Sequence, residues 1–223
     1  MDYKQRNQKL RVLVSRVNKE RKKQAKKIDI LCNDLIAAHR DFISRLNAVS
    51  FAAGFYQSIA GITEMNALLY TAGRLIKDEI PDSSIVFFLR QQESFELHLF
   101  ESDQPITFEK QRLENFFTDE VVDNVCKSNK VCDIDSLLAL GLEGNPALLN
   151  KISAVTIPLG QAGPAIGFVL IYRSLENKLT DDEVNQVAAV ASGLSRVIQS
   201  CLALSHPPAI KSDNAVLRHR RTD

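Results

Sequence analysis

The chain has 223 residues, of which 45% are apolar and 25% charged. That is an ordinary globular balance with room for one cored domain of about 150 residues plus an extension. Its formal net charge of +1 hides a polarity. Residues 1–30 hold eleven Lys and Arg against Asp2, Glu20 and Asp29, eleven less three or +8, so the remainder is net acidic.

From Leu10 to Val49 the apolar spacing alternates three and four. Leu10, Val17, Gln24, Leu31, Ala38 and Arg45 share one seam position, and Val14, Arg21, Ile28, Leu35, Phe42 and Val49 share the other. With no Pro or Gly before Gly54, this predicts a coiled coil and hence a homodimer. Arg21, Gln24 and Arg45 weaken the seam. Gly54 and Gly61 are expected to loosen the helix, and Thr63 to cap a second helix carrying Met65, Leu68, Leu69, Ala72, Ile76 and Ile80 on one face. Pro81 stops it.

SSIVFFLR and SFELHLF, separated by a short turn, predict a β-hairpin. The stretch LENFFTDEVVDNVCKSN reads as helical, KVCDIDSL as extended, and the segment with Gly141, Gly144 and Pro146 as a loop. Residues 153–172 hold no charge. Pro158, Gly160, Gly163 and Pro164 in their middle predict a strand hairpin and not a membrane span. Thr180-Asp-Asp-Glu183 is a capping box opening a helix whose apolar face runs Val184, Val187, Ala188, Ala191, Leu194, Ile198 and Cys201. After residue 204 periodicity ends, which predicts a disordered basic tail. The domain reading is therefore 1–61 helix, 62–204 globular domain and 205–223 tail.

Chemical motifs are sparse. His39, His98, His206 and His219 show no metal-ligand spacing, and the chain has neither a Gly-rich phosphate loop nor a GxSxG elbow. Cys32, Cys126, Cys132 and Cys201 form no CxxC pattern. Free thiols and a start without an apolar signal core predict a cytoplasmic protein. Asp133 and Asp135 alternate on the extended piece. The basic stripe at residues 4–27 has the charge to engage phosphates of nucleic acid or anionic lipid but no interleaved aromatics after Tyr3, so a solvated helix face is the preferred account and nucleic-acid binding through this helix the alternative.

The order helix, strand, turn, strand, a middle segment, then the strand pair and capped helix of residues 151–201 resembles a GAF domain over about residues 63–204. That resemblance implies an α+β fold, with an antiparallel sheet carrying a helix across its back. It implies a regulatory, small-molecule-sensing module and not an enzyme, acting through a partner protein. It also implies that residues 101–150 form the lid of a ligand pocket, with Phe116, Phe117 and Val131 lining it and Asp133 orienting a polar group.

Free methionine-R-sulfoxide reductases share the GAF fold and use pocket cysteines. By that resemblance Cys126 and Cys132, near Lys127 and Lys130, are the redox alternative, although the reductase motifs are not recognisable around them. The Asn-Lys…Phe…Asp-Glu pattern of cyclic-nucleotide-binding GAF domains is only approached by Asn177-Lys178-Leu179 and Asp182-Glu183. Bilin and haem have no matching cysteine–histidine pair, so the sequence assigns no cofactor.

Overall fold

The computed structural model describes residues 3–91, 94–100, 112–160 and 163–205. The chain divides into two compact units, Met1–Ser50 and Phe51–Asp223.

Within the first unit the described residues form one helix, the greater part of α1 (Tyr3–Ile59). The absence of Pro and Gly and the run of Lys, Arg, Leu, Gln and Ala favour this conformation. The helix is not interrupted at Gly54, contrary to the sequence reading. The Ser58 hydroxyl donates to the Gly54 carbonyl at 2.8 Å, and Phe55 and Ile59 are buried among the core residues of the second unit. Packing of that last turn and a half outweighs the roughly 1 kcal/mol that a helical Gly costs.

In the second unit, α2 (Met65–Glu79) buries the predicted face at Leu68, Leu69, Ala72 and Ile76. Its N-cap is Glu64 without a side-chain hydrogen bond, so Thr63 does not cap it. Next come β1 (Ser84–Gln91), β2 (Ser94–Phe100), a 3-10 turn (Leu113–Phe116) and α3 (Asp119–Ser128). Then follow β3 (Cys132–Asp133), α4 (Ile134–Ala139), α5 (Pro146–Leu149), β4 (Ile152–Pro158), β5 (Gly167–Ser174) and α6 (Asp181–Ser205).

The strands make one antiparallel sheet in the order β2-β1-β5-β4-β3. The uncharged run 153–172 is therefore the β4–β5 pair. Both central strands are buried on both faces, which explains a nearly continuous apolar text where a half-exposed strand would alternate.

Alternate residues separate two cores. Ile85, Phe87, Val155, Ile157, Val169 and Ile171 face α2, α6 and the end of α1. Val86, Phe88, Phe168, Leu170 and Tyr172 face α3, α4 and the 3-10 turn. The helix α6 is long and apolar enough to cross a membrane by length and composition. Here Val187, Val190, Ala191, Leu194, Ile198 and Cys201 bury its apolar face in the first core.

Gly167 lies where a Cβ would collide with the Phe88 carbonyl of the paired strand. Backbone cannot yield there as a flexible side chain would. Gly167→Ala is expected to cost about 3 kcal/mol, read as a lower melting temperature and denaturation midpoint, whereas Gly54→Ala, with open space around it, should be neutral or stabilising.

Candidate functional site

The sheet face covered by residues 112–149 is where a site can form. Phe88 and Phe168 stack at 4.6 Å between ring centroids, 20° apart. Phe117 joins them at 5.2 and 5.9 Å. These offset ring contacts make a rigid apolar floor. On the same covered face, toward the other end of β5, is one buried carboxylate. Glu114 in the 3-10 turn has a side chain only 2% exposed and accepts a hydrogen bond of 2.7 Å from the Tyr172 hydroxyl on β5. Arg112 Nη1 stands 3.9 Å from its other oxygen.

Burial first, and then the hydrogen bond to and negative charge of Glu114, push the Tyr172 phenol above its ordinary value. Tyr172 therefore stays a protonated donor throughout the physiological range. Ser84, Val86, Leu99, Arg112, Glu114 and Tyr172 border a void of about 10 Å³, the scale of one water molecule. A void of this size is far below the roughly 300 Å³ that a small-molecule site encloses, so the pair stands here as a satisfied polar contact inside a packed layer.

The structure distributes the sequence-predicted residues unevenly. Phe117, with Phe116 beside it, packs against the covered face. Val131 lies outside that cluster, 46% exposed. Asp133 is exposed and has a local task. The extended piece lasts only Cys132–Asp133, and Asp133 is the N-cap of α4, accepting from the Ser136 amide at 3.0 Å. Those hydrogen bonds from Ser136 hold its carboxyl below the usual value.

The helical reading of residues 113–129 divides at Phe117. Thr118 caps α3, and Asn129 ends it in the left-handed conformation that Asn tolerates. Glu114 and Tyr172 were missed by the sequence reading. The available signal was an acid inside LENFF and a hydroxyl closing an otherwise apolar strand.

Both candidate redox thiols lie inside this layer. Cys126 is fully buried, and burial pushes its thiol up to about 11, away from the thiolate that reacts. Cys132 is 4% exposed and donates to the Lys130 carbonyl at 3.4 Å, with Ser128 Oγ 3.7 Å from its sulfur. Cys32 is exposed on α1 and serves as an internal control. Thiol labelling at pH 7 is expected to modify Cys32 fast, while Cys126, Cys132 and Cys201 react only on denaturation. Rapid, peroxide-sensitive labelling of Cys126 and Cys132 in the folded protein would reverse this assignment.

No family model matches the sequence, and no curated protein matches it. Solved structures do match. One is the GAF domain of a protein assigned as a sensor histidine kinase in Pseudomonas syringae pv. tomato. It is 10% identical with a TM-score of 0.53, over 75% of this chain and 97% of that one. Another is the GAF domain of a phosphoenolpyruvate-protein phosphotransferase from Coxiella burnetii. It is 13% identical with a TM-score of 0.52, over 72% of this chain and 97% of that one. A third, from the corresponding Acinetobacter phosphotransferase, is 12% identical with a TM-score of 0.50, over 71% and 96%. At such identities the likeness concerns architecture: an antiparallel sheet with helices on both faces, which is the GAF-like fold of this chain.

Proposed function

We propose that the protein is a non-catalytic, cytoplasmic regulatory module: a homodimer joined through the first unit's helix, whose GAF-like unit senses a small molecule and passes its state to a protein partner. The observation that carries the sensing half is the buried Glu114–Tyr172 pair on the same covered sheet face as the aromatic cluster. With a ligand entering this covered face, the carboxylate and phenol would exchange their mutual hydrogen bond for one polar group while the apolar side chains exclude water. The aromatic Phe88–Phe117–Phe168 cluster sets its apolar side. Asp133, engaged as a helix cap, is not assigned the anchoring role. The redox-enzyme alternative draws no support from two buried thiols, one of them far from its thiolate form.

Native mass spectrometry of the full chain purified from its own host tests the proposal. A dimer carrying a retained small molecule, lost in Tyr172→Phe or Glu114→Gln variants that still melt cooperatively, is the expected result. Retention unchanged in both variants, or turnover of free methionine sulfoxide, would overturn it.

A further inference from the structure

The heptad that predicts the dimer also sorts the charge. Lys9, Arg16 and Lys23 repeat at one outer position of α1, Lys19 and Lys26 at the position next to it, and Lys22 on the far flank of these, all on the side away from the Leu10–Val17–Leu31 and Val14–Ile28–Leu35 seam. These side chains are all exposed, and Glu20 is the only acid in the sequence between residues 3 and 28. It holds Lys23 at 3.1 Å, leaving eleven cations less one acid, or +10, on that segment.

At about 1.5 Å per residue, residues 4–27 extend about 36 Å, one turn of B-form DNA. Such a turn carries about twenty phosphate charges. Two copies of the segment carry an equal and opposite charge. The seam is also graded. Asn7, Arg21 and Gln24 dilute it through the basic stretch, whereas Ile28, Leu31, Leu35, Ala38 and Phe42 keep it apolar beyond. Two paired helices would hold together in the second half and part at the basic end, the order in which a basic segment followed by a zipper straddles a duplex.

We infer that the Lys4–Lys27 segments of two copies dock on the phosphate backbone of double-stranded DNA, without base-specific readout. The inference rests on the dimer reading above. An anionic membrane is the less suited surface. No aromatic residue occurs between Tyr3 and Phe42, whereas helices that lie in a membrane interface use a broad apolar face with such anchors.

The test is fluorescence anisotropy of the full chain with a DNA duplex of about two turns, alongside sedimentation of the same samples. Six or more phosphate contacts predict an affinity that drops about a thousandfold between about 50 and 200 mM salt. Charge reversal at the outer positions, Arg16→Glu, Lys19→Glu, Lys23→Glu and Lys26→Glu together, should weaken binding more than thirtyfold while sedimentation is unchanged. Absence of binding at low salt, equal affinity of the reversed variant, tighter binding to an RNA duplex, or capture only by vesicles of mixed neutral and anionic lipid each overturn the inference. A dimer that ignores the duplex sinks this inference alone. A monomer sinks the dimer reading and the paired docking with it.

Discussion

Replacing Glu183 with Ala is expected to cost the GAF-like unit about 3 kcal/mol, lowering its melting temperature by about 9 °C. Two independent losses add at this residue. Glu183 closes the capping box of α6: its carboxylate accepts from the Thr180 amide at 2.7 Å, and the Thr180 hydroxyl accepts from the Glu183 amide at 3.3 Å. The same carboxylate receives Arg173 Nη2 at 2.7 Å. Arg173, next to the end of β5, is 3% exposed, and it also donates to the Lys178 carbonyl at 2.8 Å. Without Glu183 a guanidinium stays buried with its countercharge removed, the expensive half of breaking a buried pair. Thr180→Ala removes only the cap and should cost about 1 kcal/mol.

The pH dependence follows from the direction of the shift. Burial alone would raise the Glu183 carboxyl, but hydrogen bonds from Thr180 and from Arg173, with the guanidinium's charge, hold it below its usual value. A depressed acid contributes stability that is fully present above its unfolded value of about 4.3 and disappears as pH falls through the lower folded value. The gap between wild type and Glu183→Gln in denaturant titrations should therefore be widest at neutral pH and close in acid. A gap independent of pH would mean that the carboxylate's charge is not what holds Arg173.

This corner of the molecule also shows how far the sequence could be read. The capping box is local, three residues apart, so its chemistry is visible in Thr180-Asp-Asp-Glu183 before any fold is known. Arg173, which ends an apolar strand ten residues earlier, gives no sign of being Glu183's partner. The same divide separates the two halves of the candidate site. The β4–β5 hairpin and the faces of α2 and α6 were legible because periodicity reports burial. Glu114 and Tyr172 are 58 residues apart, and only the antiparallel register of β1 with β5 and the packing of the 3-10 turn over it bring them together. Asp133, expected to orient a ligand, has a local task that the sequence also allowed. Asp preceding a short helix satisfies its free amides, and that competes with any ligand for the carboxylate. Thr63 shows the reverse case, a good capping residue passed over because the chain turns into α2 one residue later.

The full chain should sediment as a dimer at micromolar concentration, and Leu31→Asp with Leu35→Asp should make it a monomer. Leu31 and Leu35 are 66% and 70% exposed on α1, as are Leu10, Val14, Val17, Ile28, Phe42 and Val49 at 53% or more. A helix that leaves a stripe this long in water has little to stabilise it beyond propensity. A second copy would cover the stripe with an identical one, as heptads in register require. Burying each Leu contributes about 2 kcal/mol, so four side chains in a dimer supply about 8 kcal/mol, and losing them weakens association by more than four orders of magnitude. Residues Phe51 onward bury their own core, so the variant should keep the cooperative melting of the GAF-like unit while losing helical signal. Arg21→Leu should act the other way and tighten the dimer, because Arg21 places like charges together on the seam. A wild-type chain that remains monomeric at micromolar concentration, or a Leu31/Leu35 variant that still dimerises, would move the association surface off this helix.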